Sequence, residues 1–309
     1  MNILRAEQPD PSLTRYLAAD AEAVNHRGPL PNLTRSSFST PDGRVSALNW
    51  SDFAGADPLP PITVLHGMGL NAHSFDRFVL ALKHPATVFD LPGHGESDWR
   101  DDADYSPRQL AATITPLIAA EKQVLIGHSL GGLTANLVAQ RVPERIEQLI
   151  LIDITPAVRN GKASSTVMEF ITGQRVFESR EQMVDRAIEF GIGSDREALS
   201  RGVFFNSRQR PDGGFEWIHH FAHLPSLGLN SDSLEPTESI ADGWRALAEH
   251  SMPVHLIAAS SGMVDAEMID EFRERVPGAS VHRIAGTHNL QESNPLELAR
   301  VIAEIVSGS

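Results

Sequence analysis

Cysteine is absent from the 309 residues. Disulfides, thiolate metal sites and a cysteine nucleophile are therefore excluded, although that absence does not fix a compartment. Basic residues are scarce beside acidic ones. Lys and Arg number 26 against 40 Asp and Glu, which leaves a formal net charge of −14. No basic run is present, so nucleic acid is not an expected partner, and the negative charge argues against an anionic membrane surface. The stretch from Met1 to Leu17 lacks a basic start followed by an apolar segment, so no signal peptide is read there. Apolar runs such as Gln148 to Ile154 are far too short to span a bilayer. No membrane association is expected, and a cytoplasmic location is the default expectation. Internal repeats and low-complexity segments are also missing.

What is present is an ordinary globular composition, 41% hydrophobic and 21% charged, in a chain long enough to bury a core without staples. Residues 1–34 read as an N-terminal arm with one short helix, Ser12 to Asn25. Residues 35–51 read as a hairpin turning at Pro41-Asp42-Gly43. Short apolar strands then alternate with amphipathic helices. The strands are Ile62 to Leu65, Ala86 to Phe89, Gln123 to Ile126 and Ile146 to Ile152. The helices are Ser74 to Leu82, Pro107 to Ala120 and Leu130 to Arg141. The alternation resumes with a strand Val254 to Ala258, a helix Asp265 to Val276, a strand Val281 to Ile284 and a helix Pro295 to Val306. This pattern predicts an α/β fold, a mostly parallel sheet covered by helices on both faces. Between Thr155 and about Ser251 it stops, for roughly 95 residues, too long for a bare loop. Residues 155–251 are therefore read as an inserted, mainly helical cap, and residues 35–154 and 252–309 as the core.

Gly127-His128-Ser129-Leu130-Gly131 matches G-x-S-x-G at a strand-to-helix junction. There a sharp turn stands the serine clear of the backbone, and the helix N-terminus behind it favours developing negative charge. Three further motifs occur in order: His66-Gly67-Met68-Gly69 after a strand, Asp90-Leu91-Pro92-Gly93-His94-Gly95-Glu96-Ser97, and Gly286-Thr287-His288-Asn289 after the last strand. With these four motifs, residues 35–309 resemble the α/β-hydrolase family, and Asp212 to Trp217 resembles a segment of its capped members.

The resemblance implies a serine hydrolase. Ser129 is the candidate nucleophile and His288 the base that takes and returns its proton. The backbone N–H groups of Met68 and Leu130 are the implied oxyanion donors. The expected acid position after the strand that resumes beyond the insertion is occupied by Ser261. Asp153, at the end of the strand before the insertion, is the better placed carboxylate. Asp265 is the alternative, although it opens a helix, where Asp is a common cap. His66, His94 and His128 read as structural hydrogen bonders, and His66, His128 and Trp217 are the candidates to border a substrate pocket. His219 and His223 could share a helix face, but a zinc site would want a third ligand, and Trp217 and Phe221 suggest packing instead. No metal and no cofactor is implied. Arg175, Arg208 and Arg210 read as solvated, with one of them available to an acidic substrate group.

The aromatic residues Phe170, Phe177, Phe205, Trp217 and Phe221 suggest a lid that shapes the pocket. The expected reaction is hydrolysis of a small ester or amide through an acyl-enzyme. Cleavage of a carbon–carbon bond, or cofactor-free haloperoxidase or perhydrolase chemistry, would use the same site, and a ligand-binding receptor on this fold is the alternative outside catalysis.

Overall fold

The computed structural model describes residues 3–4, 13–55, 59–158, 162–193, 195–227 and 240–308. A sheet of nine strands runs through it: β1 (Ile3–Leu4), β2 (Asn32–Thr40), β3 (Gly43–Ser51), β4 (Ile62–Leu65), β5 (Ala86–Asp90), β6 (Gln123–His128), β7 (Ile146–Ile152), β11 (Val254–Ser261) and β12 (Ser280–Thr287). The spatial order is β1-β2-β3-β5-β4-β6-β7-β11-β12. From β5 to β12 every pairing is parallel, and β1 to β3 join as an antiparallel edge.

The central strands are apolar on both faces because both are covered. Along β6, β7 and β11, alternate residues go to opposite cores. Val124, Ile126, Ile150, Ile152 and Ile257 pack with α1 (Leu17–Ala23), α2 (Asp76–Leu82), α10 (Leu290–Ser293) and α11 (Pro295–Ser307). Leu125, Leu149, Leu151 and Leu256 pack with α3 (Pro107–Ile114), α4 (Leu130–Arg141), α8 (Ile240–Ala248) and α9 (Ala266–Arg275). Period-two alternation with no exposed face is the signature of a sheet between two helical layers.

Local departures from the sequence reading have local causes. The arm helix is shorter than Ser12 to Asn25, and its expected start at Ser12 lies outside the described residues. The helix expected to run to Ala120 ends at Ile114 and tightens into a 3₁₀ turn, Thr115–Leu117, around Pro116, which lacks the N–H for a continuing helix.

Between β7 and β11 the chain leaves the sheet. It forms α5 (Lys162–Thr172), β8 (Val176–Phe177), α6 (Arg180–Glu189), α7 (Arg196–Asn206), β9 (Ser207–Gln209), β10 (Phe215–Trp217) and a 3₁₀ segment, His220–Leu227, before α8. The segment is thus helical, but with a three-stranded antiparallel sheet, β8-β10-β9. The Pro211–Gly214 turn closes its hairpin, with Arg210 N–H donating to Gly214 O at 2.8 Å. Strands of two or three residues are too short to display an alternating pattern. Phe177, Met183, Val184, Val203, Trp217 and Ala222 make a separate small core here. Among the described residues no helix is long and apolar enough to cross a membrane.

Candidate active site

Three strand ends converge. In the parallel register His128 pairs with Ile152, Ile152 with Ile257, and Ser261 with Thr287. Ser129, Asp153 and His288, each one residue beyond its strand, therefore emerge at the same C-terminal edge, where open α/β sheets bind ligands.

Ser129 and Asp153 both carry left-handed backbone, with φ of 52° and 49°. Non-glycine residues rarely do so, at a cost of about 1–3 kcal/mol each. At Ser129 (ψ −123°) the chain turns sharply from β6 into α4. The flanking glycines make this possible by close approach: a methyl on Gly131 would lie 2.3 Å from Leu65 O, and one on Gly127 would lie 2.4 Å from Gly131 O.

Asp153 is fully buried and its oxygens are occupied. Oδ1 accepts from Ala259 N–H at 2.9 Å. Oδ2 accepts from Met263 N–H at 2.6 Å and meets His288 Nδ1 at 2.7 Å. The chain after β11 folds back over the carboxylate so closely that a methyl on Gly262 would come 2.1 Å from Oδ2. With Nδ1–H donating to Asp153, His288 presents Nε2 as the free ring nitrogen. Asp265 lies elsewhere: exposed, it caps α9 by accepting from Met268 N–H at 2.9 Å. Ser261 is exposed at the end of β11.

The turn after β4 lies against the serine, because a methyl on Gly67 would be 3.1 Å from Ser129 Cβ. His66 shapes this turn. Its Nδ1–H donates to Gly67 O at 2.8 Å, and Nε2 accepts from Leu91 N–H at 3.0 Å. Gly67 O also accepts from Leu70 N–H at 3.2 Å. The peptide is trans, so fixing Gly67 C=O from two sides turns Met68 N–H the opposite way. His94 continues the pattern, its Nε2 accepting from Gly69 N–H at 3.1 Å. Leu130 is the first residue of α4, where the amide has no partner within the helix.

The residues read as pocket candidates are placed as follows. His66 is fully buried with both ring nitrogens engaged. His128 is buried beneath His288 and donates from Nε2 to its carbonyl at 3.0 Å. Trp217 sits in the small core of the inserted segment, edge-on to Phe177. Phe221 belongs to the main core and not to that small one. His220 is stacked on Trp99, and its Nδ1 meets Tyr105 Oη at 2.7 Å. Among the described residues no group of three or more His, Cys, Asp or Glu could hold a metal ion. Arg208 and Arg210 both pair with Glu216.

Burial holds His66 below the ordinary histidine pKa and holds His94 and His128 well below it. All three are therefore neutral in the fold near pH 7, which suits rings that must each accept or donate in a fixed tautomer. The stability consequence has a definite sign. The unfolded chain protonates these rings below about pH 6.5 and the folded protein only at lower pH, so stability is complete above about pH 6.5 and declines as pH falls toward the folded values. Each ring removes up to about 1.4 kcal/mol per pH unit in that window. Urea denaturation at pH 7.5, 6 and 5 should give a falling midpoint. A flat profile would contradict the buried neutral histidines.

The family model described as the alpha/beta hydrolase family matches residues 64–301. The chain belongs to the α/β-hydrolase family. Over 303 residues it is 33% identical to the esterase Rv0045c of Mycobacterium tuberculosis, covering 94% of this chain and 93% of that one. It is also 30% identical to the sn-1-specific diacylglycerol lipase ABHD11 of Mus musculus, covering 86% and 87%. A solved structure of the mycobacterial esterase superposes with a TM-score of 0.80 at 31% identity, over 97% of this chain and all of that one. This α/β-hydrolase is an enzyme, and its mostly parallel sheet flanked by helices is the family fold.

Residues the sequence reading passed over also shape the site. Met263 N–H reaches Asp153 from a loop that folds back, and Asn71 and Asn206 flank the Met68 turn. Neither signal is local, since the partners lie 110 to 137 residues apart.

Proposed function

We propose that this α/β-hydrolase cleaves a small ester through Ser129, His288 and Asp153, with residues 155–251 as a cap over a core formed by residues 35–154 and 252–309 and an N-terminal arm of residues 1–34. The observation that carries the reading is the 2.7 Å pairing of His288 Nδ1 with a fully buried Asp153, beside a serine on strained backbone. Ser129 Oγ attacks the acyl carbon and gives its proton to His288 Nε2. The carbonyl oxygen becomes an oxyanion held by Met68 and Leu130 N–H. As the tetrahedral intermediate collapses, the bond to the alcohol breaks and His288 returns the proton to the leaving oxygen. Water, deprotonated by His288, then attacks the acyl-enzyme and releases acid and free serine. Asp153 keeps the imidazole in the tautomer with Nδ1–H and stabilises its cation.

The names of the relatives, an esterase and a lipase, favour an ester over an amide. The substrate in this reading is a small molecule and the location cytoplasmic. The cap is supported by its insertion between the adjacent strands β7 and β11 and by the packing of Ile171, from α5, over the Gly69 turn. A panel of matched p-nitrophenyl esters and anilides of graded acyl length, run with a fluorophosphonate label, tests the reading. Ester turnover well above anilide turnover and one covalent label per chain are expected. Absence of both label and turnover would sink it.

A further inference from the structure

The inserted segment touches the Met68 turn by a route that a mere lid would not need. The helix α7 is fastened to the core along its length. Arg201 is buried, and its Nε donates to Asp20 Oδ2 and its Nη2 to Asp76 Oδ2, both at 2.7 Å, with a further bond to His73 O at 3.0 Å. Phe205 stacks on the His73 ring with centroids 3.8 Å apart and planes 13° from parallel. At the helix end, Asn206 Nδ2 donates to Gly69 O, and Asn206 O accepts from Ile218 N–H at 3.0 Å. Asn71 closes the arrangement. Its Oδ1 accepts from His73 N–H at 3.0 Å, and its Nδ2 donates to Phe205 O at 3.1 Å.

The carbonyls and amides of the turn are thus pinned one after another. His66 and Leu70 hold Gly67 O, and His94 holds Gly69 N–H. Among these contacts, the bond to Gly69 O is the one supplied by the inserted segment, through Asn206. We infer that Asn206 is a positioning residue: its amide fixes the Gly69–Leu70 peptide, whose Leu70 N–H holds Gly67 O and thereby sets the direction of Met68 N–H, in the same peptide as Gly67 O, toward the developing oxyanion. This inference rests on the role proposed above for Met68. It makes the inserted segment part of the catalytic scaffold without requiring it to touch substrate. A donor for an oxyanion acts through preorganisation, and loosening it by a fraction of an ångström lowers the rate at the transition state while leaving ground-state binding alone.

The test compares Asn206→Ala and Asn206→Asp with Gln209→Ala, an exposed position on β9 in the same segment. For both Asn206 variants kcat should fall roughly tenfold or more, with KM within about twofold. Affinity for phenylboronic acid, which forms a tetrahedral adduct on the serine, should weaken by the same factor. Gln209→Ala should match the parent. Should Asn206→Ala fail to fold, Asn206→Asp, of equal size, carries the test, because its carboxylate offers Gly69 O no donor. Parental kcat and boronate affinity in the Asn206 variants would overturn the inference, as would a raised KM with unchanged kcat, which would mean direct substrate contact. Ser129→Ala separates the two levels of the argument. Retained activity there removes the mechanism itself, whereas an inactive Ser129→Ala beside fully active Asn206 variants removes only the positioning role.

Discussion

Replacing Ser129 by alanine is expected to lower kcat by about 10⁴-fold or more, to the level left by binding and the oxyanion donors alone. The size follows from the chemistry. Without Oγ no acyl-enzyme can form, and His288 has no proton to take from the nucleophile. The fold should tolerate the change. Alanine keeps the Cβ, so the φ of 52° costs what it cost before, and the half-buried hydroxyl accepts no cap bond from α4. A melting temperature within a few degrees of the parent is therefore expected for the loss of one non-capping hydroxyl. Peptide mapping of fluorophosphonate-treated protein should put the label on the peptide containing Ser129, and the alanine variant should take up none. Undiminished turnover in the variant, or a label on another serine, would end the mechanism.

The elbow around Ser129 was legible because its glycines answer a purely local demand. The turn lets β6 and α4 approach to distances at which a Cβ cannot fit, so the residue types at 127 and 131 announce the geometry. The strands were legible for a similar reason, since both-face burial requires runs such as Leu149 to Ile152 to be apolar throughout. Long-range pairing left no such mark. Asp20 and Arg201 form a buried ion pair 181 residues apart, and nothing near either residue in the chain singles it out. Trp217 shows the reverse problem. An aromatic residue in an inserted segment fits equally well with a pocket wall or with a small separate core, and only its neighbours Phe177, Met183 and Val203 distinguish these. For the acid, the sequence favours Asp153, directly after a strand, over Asp265, which comes later and opens a helix, but it does not show what surrounds either one. What separates them is the backward fold of residues 261–263, which brings the Met263 amide onto Asp153 and leaves Asp265 to cap α9.

That separation yields the second large expected effect. Asp153→Asn should cut kcat by about a hundredfold at least, and toward 10⁴-fold, while Asp265→Asn should be nearly neutral. The asymmetry follows from counting donors. Asp153 accepts from the Ala259 amide on one oxygen and from the Met263 amide and His288 Nδ1–H on the other. Asparagine offers one accepting oxygen and one NH₂. If the NH₂ faces Ala259, two donors collide in a site with no solvent. If it faces Met263 and His288, it collides with the Met263 amide, and the imidazole relieves its own clash only by moving its proton to Nε2. That tautomer cannot accept the serine proton, and in either orientation the imidazolium formed during the reaction loses the carboxylate charge that stabilises it. At Asp265 the same substitution preserves what the side chain does, because asparagine caps a helix N-terminus about as well as aspartate. Both variants keep their side-chain size, so circular dichroism and melting should first establish that each is folded. Steady-state rates on the best ester then rank them. The opposite order, a crippled Asp265→Asn beside an active Asp153→Asn, would transfer the role of acid to Asp265 and leave the 2.7 Å contact at Asp153 as a structural bond holding the His288 loop.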